Sequence, residues 1–598
     1  MPCRGAAACS ALAPTLPSAR TVAAGGQPMQ LPADPIEAAR TWARHDPDPE
    51  TRAELEALIA RGAREELAER MAGTLRFGTA GLRGVVGAGS NRMNRAVVIR
   101  ASCGLADWLI ERGLAQRGPL VIGRDARLSS EALCRDAIAV FAAKGLEVRH
   151  VPEPCPTPAV AFAARACGAV AAVVVTASHN PPEYNGYKVY GPDHVQIVPP
   201  VDAEIAARIA AAPFADEVPR VDDPLAHPRV RPLEGLRERY LAALDGCLAP
   251  RPERPGLRVV YTAMHGVGAA YALAALERAG LGAIEPVREQ IEPDGRFPTV
   301  RFPNPEEPEA LALAHALAER TGADLVIAND PDADRLAVSV PGRTGGFEPL
   351  TGNQIGALLG DHLLEHASCD RPFVVRSIVS SPLLDRVAAA HGARSVATLT
   401  GFKWIWHAAL ELEGRGEGTF VFGYEEAIGF SVWSQVRDKD GISAAAVLAQ
   451  LAERERRAGG SLRARLERLY RAHGVWVSVQ HSVWRPGLEG RREIEQAMAQ
   501  LAERRPETLG GAAVERVIDY REGAQARPSY LGRAELVELQ LGESGRALVR
   551  PSGTEPKLKI YVDLCAPADG EIARIEREQR ERARAVALEL ARFVGLEG

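Results

Sequence analysis

Residues 169–188, AVAAVVVTASHNPPEYNGYK, place a strand, a polar exit and a lysine within one short stretch. The run Ala169 to Val175 is short, apolar and rich in valine, as expected of a buried strand. Asn180-Pro181-Pro182 then rules out an immediate helix, because the residue before proline avoids the helical region and proline lacks an amide donor. Ser178 is thereby held on a stiff, exposed loop at a sheet edge, where backbone pairing stops and a hydroxyl can face a cleft. His179 stands beside it and Lys188 follows ten residues on. This layout suits a covalent phosphoryl carrier; an ordinary strand exit with a capping serine has the same outline.

Outward from this strand, short apolar runs alternate with amphipathic stretches, which argues for α/β domains. Leu120 to Gly123 reads as a strand, Ser130 to Lys144 as a helix and Glu147 to Val151 as a strand. Pro35 to Ala72 reads as helical, and the Pro- and Asp-rich stretch Pro213 to Pro232 as a connector. Arg258 to Thr262 opens a second strand-helix series that reaches Ala323 to Ala328. A third runs from Pro372 to Ser377 through Gly418 to Phe422. Around Gly459-Gly460 and Ala472 to Val475 the pattern changes, and alternating segments at Arg546 to Arg550 and Lys557 to Leu564 predict a smaller antiparallel sheet. The expected organisation is three related α/β units and a smaller C-terminal α+β unit, divided near 31–240, 250–360, 361–475 and 476–598, with no crisp sequence repeat.

Several classes are excluded by bulk properties. A chain of 598 residues exceeds what one core supports. A net charge of -5 leaves no basic stripe for nucleic acid. Nine cysteines include no C-x-x-C pair, so neither a disulfide framework nor a zinc site is indicated, and a reducing, cytoplasmic setting is expected. No uncharged apolar run reaches the length of a membrane span; Arg165 interrupts the nearest, Ala159 to Ala177. Residues 1–30 are rich in Ala, Pro, Ser and Gly without the apolar segment or cleavage site of a secretory signal. They read as a disordered tail, or as a start assigned upstream of Met29.

Asn329-Asp330-Pro331-Asp332-Ala333-Asp334-Arg335 directly follows the strand at Leu325 to Ala328. Carboxylates at alternate positions on a loop can converge on one hard cation. An EF-hand would need glycine at position six and glutamate at position twelve, where this chain has Arg335 and Pro341, so calcium of that type is excluded. Three carboxylates with room for a phosphate oxygen suit magnesium. A solvated acidic turn is the alternative, but three crowded aspartates repel one another without a cation.

Arg550-Pro551-Ser552-Gly553-Thr554-Glu555-Pro556-Lys557 lies between two alternating strands. Two hydroxyls, a glycine and an arginine fork make a phosphate cradle, although Ser-Gly-Thr also occurs in plain turns. Phe77-Gly78-Thr79-Ala80-Gly81-Leu82-Arg83-Gly84 is glycine-rich but lacks the Lys-Ser/Thr ending of a nucleotide P-loop. Thr400-Gly401-Phe402-Lys403 and Gly423-Tyr424-Glu425-Glu426 follow strand-like segments and could line a polar pocket or lie on the surface. His265-Gly266-Val267-Gly268 fits a helix-start turn and a ligand contact equally.

Of 72 basic residues only six are lysine: Lys144, Lys188, Lys403, Lys439, Lys557 and Lys559. Where charge alone is wanted, this chain uses arginine. All the lysines but Lys144 fall within or beside the polar loops, including the Arg437-Asp438-Lys439-Asp440-Gly441 cluster. A lysine pKa can be depressed enough for proton transfer, which makes Lys188 and Lys403 candidates for chemistry.

Together, the segments 78–84, 176–181, 330–335, 423–429 and 550–556, in that order, resemble the α-D-phosphohexomutase family of phosphoglucomutases and phosphomannomutases. The resemblance implies four domains around a central cleft. It implies a phosphoserine at Ser178, and one Mg²⁺ held by Asp330, Asp332, Asp334 and an oxygen of the Ser178 phosphate. Arg83, His179 and Lys188 are the implied cluster for orienting phosphate and moving protons, with Lys188 in the proton role. Glu425 and Glu426 would grip sugar hydroxyls, with Lys403, Arg437 and Lys439 as further substrate contacts. Arg550, Ser552, Gly553 and Thr554 would hold the phosphate not being transferred.

The implied reaction interconverts hexose 1-phosphate and hexose 6-phosphate through a hexose 1,6-bisphosphate, with glucose 1,6-bisphosphate as activator. Small sugar phosphates are the expected partners. One departure stands out: many members carry Glu-x-Ser in the sugar loop, whereas here Ala427 and Ile428 follow Glu425-Glu426. This wording resembles the branch with phosphopentomutases and glucose 1,6-bisphosphate synthases. Glucose phosphate is the expected substrate, with mannose phosphate accepted and pentose phosphates as the alternative. A metal-dependent phosphatase would not need the distant cradle, and a catalytically silent binding protein would be expected to have lost Ser178 or an aspartate.

Overall fold

Three times along the chain a parallel strand ends in a polar loop and the backbone returns antiparallel beside it. The computed structural model describes residues 28–78, 81–252, 256–552 and 557–596, so the expected tail up to residue 27 lies outside the described residues. In a six-stranded sheet, Ala171–Val175 is parallel to Leu120–Arg124 and antiparallel to Tyr184–Tyr190, and the loop between carries Ser178. In a five-stranded sheet, Leu325–Ala328 is parallel to Arg258–Thr262 and antiparallel to Ala337–Pro341, and its loop carries the three aspartates. In a four-stranded sheet, Thr419–Glu425 is parallel to Pro372–Ser377 and antiparallel to Gly429–Ser431, with Glu425 and Glu426 at the turn.

Each loop holds one non-glycine residue in the left-handed region: Ser178 at φ 52°, Ala333 at φ 56° and Ile428 at φ 54°. Side chains disfavour that region by roughly 1–2 kcal/mol, so all three loops are held in shape by their surroundings. The repeat absent from the sequence is thus present in the backbone.

The parallel strands read as continuous apolar runs because both faces are covered; all of Ala171–Val175 is buried. Its antiparallel neighbour differs. Side chains alternate along a strand, which puts Gly186, Lys188 and Tyr190 on one face and turns Lys188 inward. A last sheet is wholly antiparallel, in the order Val475–Trp484, Lys557–Ala566, Gly545–Pro551, Val537–Gln540, Arg516–Asp519. Helix Ile572–Phe593 covers it, with Val586, Ala587 and Leu590 buried among its strands. Three α/β units and a smaller α+β unit are therefore present.

Two expectations are corrected. The helical stretch expected over Pro35 to Ala72 is three helices, Pro35–His45, Pro49–Ala60 and Arg64–Arg70. Asp34 and Asp48 each cap a helix whose first residue is proline, and the signal at Asp48 interrupts the first helix. The connector expected over Pro213 to Pro232 ends in a short strand, Val230–Pro232, which pairs parallel with Val148–His150.

The units share an aromatic joint. Tyr240 meets Phe162 and Trp433 edge-on, at 5.6 and 5.5 Å between ring centroids. Asp440 accepts from Tyr240 Oη at 2.7 Å and Trp433 Nε1 at 2.8 Å, and caps helix Gly441–Arg457 through the Ile442 and Ser443 amides.

The turn at His265-Gly266-Val267-Gly268 leads into helix Ala269–Arg278 and braces the aspartate loop: Val267 N donates to Pro331 O at 2.8 Å. A Cβ on Gly266 would lie 2.4 Å from Pro331 Cα, a backbone atom that cannot step aside. Gly266→Ala is therefore expected to destabilise the fold by about 1–3 kcal/mol in urea unfolding, through displacement of the aspartate loop.

Candidate active site

Ser178 lies at the C-terminal end of its parallel strand, the edge where open α/β sheets form their binding crevice. Its Oγ donates to Asp330 Oδ2 at 2.7 Å, so the serine loop and the aspartate loop, 152 residues apart in sequence, meet directly. His179 Nδ1 lies 3.2 Å from the same Oγ, and Arg335 Nη2 donates towards His179 Nε2 at 3.4 Å. A donor at Nε2 assigns the ring hydrogen to Nδ1, facing the serine. Burial, then the charges of Arg335 and Arg83, hold this imidazole well below its usual pKa, so it is neutral.

Asp330, Asp332 and Asp334 are all buried, with carboxylate oxygens within 4.8 Å of one another. Lys188 Nζ, only 1% exposed, donates to Asp332 Oδ2 at 2.8 Å and Asp334 Oδ2 at 2.9 Å. Lys439 Nζ reaches Asp334 Oδ2 at 3.2 Å from the third unit. Thr157 Oγ1 adds a hydrogen bond to Asp332 Oδ2 at 2.6 Å. Burial, and then the charges of Asp332 and Asp334, raise the Asp330 carboxyl well above the ordinary range. For Asp334 burial is outweighed by Lys188 and Lys439, which hold its carboxyl far below that range.

Lys188 does not have the depressed pKa that would favour proton transfer: burial pushes it down, but Asp332 and Asp334 outweigh burial and raise it. Burial does lower Lys403, whose Nζ donates to Gly78 O at 3.4 Å. Arg83 Nη1 donates to Asn180 Oδ1 at 2.8 Å, and burial pushes its guanidinium down to about 10, with Asp332 opposing and Arg335 adding to the fall.

In the third unit, Glu425 accepts from Gly401 N at 2.7 Å, which joins two of the polar loops read from the sequence. Glu426 accepts from Ser377 Oγ and Ser380 Oγ at 2.9 and 3.2 Å. Arg437 is placed apart from the aspartates, donating to the Asp193 carbonyl at 2.6 Å. Arg550 and Ser552 lie at the head of a hairpin closed by Ser552 N to Lys557 O at 2.9 Å. Gly553 and Thr554 lie outside the described residues.

Arg127 escaped the sequence reading. Its buried guanidinium donates to the carbonyls of Ser178 at 2.7 Å, Pro181 at 2.7 Å and Tyr184 at 2.9 Å, and also to that of Asn180. One side chain thus holds the whole serine loop, while stacking over Phe297 of the second unit at 5.1 Å. Its position just beyond strand Leu120–Arg124, neighbour to the serine strand, is the signal that could have found it.

Family models for phosphoglucomutase/phosphomannomutase match along the chain: α/β/α domain I over 74–216, domain II over 238–344, domain III over 351–472 and the C-terminal domain over 501–589. The chain belongs to this family. It is 38% identical over 479 residues to a probable phosphomannomutase of Haemophilus influenzae, covering 79% of this chain and 93% of that protein. It is 33% identical over 579 residues to human phosphopentomutase, covering 91% and 94%. Mouse glucose 1,6-bisphosphate synthase is 34% identical over 584 residues, covering 90% and 92%. A putative phosphomannomutase from Thermus thermophilus superposes with a TM-score of 0.64 at 26% identity, over 87% of this chain and 98% of that one. The protein is accordingly an enzyme of the phosphotransferase/isomerase type. Among the described residues, no helix of this mutase is long and apolar enough to cross a membrane.

Burial pushes the Glu425 carboxyl of the mutase up to about 7, with Lys439 working against the rise and Glu426 adding to it. A carboxyl raised in the folded state contributes stability below its ordinary value of 4.5, and that contribution is lost as pH rises through about 7. Glu425→Gln cannot ionise and should remove this part of the pH dependence. Urea unfolding between about pH 4 and pH 8 should show the variant gaining on the wild type by on the order of 3 kcal/mol.

Proposed function

We propose that the enzyme interconverts hexose 1-phosphate and hexose 6-phosphate, with glucose as the preferred sugar and mannose accepted, through a phosphoserine at Ser178. The observation that carries this reading is the 2.7 Å contact between Ser178 Oγ and Asp330 at the meeting point of the serine and aspartate loops. A second phosphate-binding end, with Arg550 on the last sheet, Ser552 just past the end of its strand and Gly553 and Thr554 next in sequence, supports an exchange between two phosphate positions.

The aspartate cluster fits one hard divalent cation. Its three carboxylates converge, and Asp332 Oδ1 and Asp334 Oδ1 are buried without a hydrogen-bond partner. An all-oxygen set of this size suits Mg²⁺, with Ser178 as the fourth contact. Bound there, the ion would neutralise charge on the phosphoryl group in transit.

The chain's own groups do the rest. Arg83 and Arg335 flank the serine loop with positive charge, and neutral His179 presents Nδ1–H towards Oγ. As the bond between phosphorus and Ser178 Oγ breaks, one forms to a sugar hydroxyl, whose proton passes in exchange to the departing serine oxygen. The hexose 1,6-bisphosphate then presents its opposite phosphate, which returns to Ser178. Burial of Ser178 and of the aspartate loop keeps water from the phosphoserine. Glu425 and Glu426 grip sugar hydroxyls from the third unit, and Lys403, whose Nζ donates to Gly78 O, is a further substrate contact.

Pentose phosphate is the second reading, favoured by the similarity to phosphopentomutases. Ala427 offers no hydroxyl, and buried Ile428 accepts from Leu336 N at 3.0 Å and so belongs to the joint with the aspartate loop. A coupled assay comparing glucose, mannose and ribose 1-phosphates, with and without glucose 1,6-bisphosphate, decides between them; highest kcat/KM on ribose 1-phosphate would overturn the hexose reading. Ser178→Ala should abolish transfer while leaving the circular dichroism spectrum unchanged, and retained turnover would sink the phosphoserine. Asp332→Asn should lower activity at least about tenfold and raise the Mg²⁺ concentration needed for half-maximal rate. An unaltered metal titration would count against the site.

A further inference from the structure

The turn 377–381 follows the parallel strand Pro372–Ser377 and opens at the same sheet end as Glu425 and Glu426. Two of its three hydroxyls converge on one carboxylate oxygen. Ser377 Oγ donates to Glu426 Oε2 at 2.9 Å and Ser380 Oγ at 3.2 Å, while Glu426 N donates back to Ser380 Oγ at 3.0 Å. Glu426 is thus fixed through its backbone and its side chain by one serine.

Ser380 also faces the other way. Its carbonyl oxygen accepts from Arg546 Nη2, on the central strand of the last sheet, at 2.6 Å, and from Arg376 Nη1 of its own unit at 3.2 Å. Arg546 cannot adjust freely. Asp563 Oδ2 holds its Nε at 2.9 Å, and Glu538 Oε1 lies 3.5 Å from its Nη1. These carboxylates are buried on the two flanking strands, and Ser478 and Tyr520 hold their other oxygens. Around this polar contact, Ile378 and Val379 pack against Leu536, Leu548 and Tyr561 of the C-terminal domain. The guanidinium therefore moves with that domain, and Ser380 is where the domain touches the sugar loop's support.

We propose that Ser380 and Arg546 are positioning residues that couple the seating of the C-terminal domain to the orientation of Glu426, so that the sugar of the hexose phosphate is gripped fully only when that domain is in place. This rests on the reading of Glu426 as a sugar contact. The domain that brings the second phosphate-binding end also sets the carboxylate that reads the sugar. If the domain lifts, Arg546 leaves with Asp563 and Glu538, the turn loses one of the two arginines on Ser380 O, and both serine donors to Glu426 loosen.

The test is a set of double-mutant cycles in the full chain, with Mg²⁺, glucose 1,6-bisphosphate and the most active of the three sugar 1-phosphates. Ser380→Ala keeps the backbone carbonyl and removes only the hydroxyl. Arg546→Lys keeps a charge between Asp563 and Glu538 but shortens the reach to Ser380. Each should raise KM about tenfold with a smaller change in kcat, as expected for a weakened hydrogen bond to a charged group. In a Glu426→Gln background both effects should largely vanish, because the group they position has been changed. Unchanged KM in Ser380→Ala and Arg546→Lys, or effects that add in full to that of Glu426→Gln, would overturn the coupling while leaving the mutase reading intact. Wild-type KM in Glu426→Gln alone would remove the sugar-contact reading, and the coupling with it.

Discussion

Three carboxylates buried at one point are an electrostatic liability that no single unit of this protein resolves. The aspartates come from the second unit, Lys188 from the first and Lys439 from the third. Removing charges from water costs several kcal/mol each, and an ammonium against a carboxylate offsets that only when the geometry is good. Here each amine has to arrive from a different unit. Such contacts are weak evidence for stability but strong constraints on arrangement, because one misplaced unit leaves an unpaired buried charge. The relative placement of the first three sheets follows from this requirement.

Backbone hydrogen bonds make the aspartate loop a hub as well. Thr157 N of the first unit donates to Asp332 O at 3.0 Å, and Gly441 N donates to Ala333 O at 3.2 Å. Leu336 N donates outward to Ile428 O at 3.0 Å. Two of the three left-handed residues, Ala333 and Ile428, supply carbonyls to these bonds, and the third, Ser178, supplies one to Arg127. The turns at Ala333 and Ile428 are therefore places where the second and third units are fastened together.

Much of this is legible in the sequence, and what is not has a common cause. Strands such as Ala171–Val175 and Leu325–Ala328 stand out because a doubly covered strand is apolar throughout. Ser178 and the aspartates stand out because polar residues crowd directly behind such strands. Partners are different, since spacing says nothing of what approaches from another sheet. Lys188 is conspicuous as a lysine in an arginine-rich chain, yet its raised pKa depends on two aspartates about 145 residues away. Arg437 draws notice through its neighbours in sequence and turns instead to the Asp193 carbonyl. Arg127 and Ser380 carry no unusual local pattern, and their importance lies in what they hold. The backbone repeat of three strand-loop-strand units is hidden because it is kept in direction and turn shape, not in residue type.

The left-handed backbone at Ser178 has a bearing on how this site can change over time. A β-branched side chain at φ 52° would be a severe outlier, because its second branch crowds the chain just where serine's single oxygen does not. Threonine offers the same hydroxyl chemistry and differs by one methyl group, and serine and threonine are often exchanged as phosphate acceptors elsewhere. Here that neighbouring step is closed by geometry before chemistry is consulted. Any route to a different nucleophile would first have to reshape the loop, and with it the contacts that Arg127 makes to four of its carbonyls.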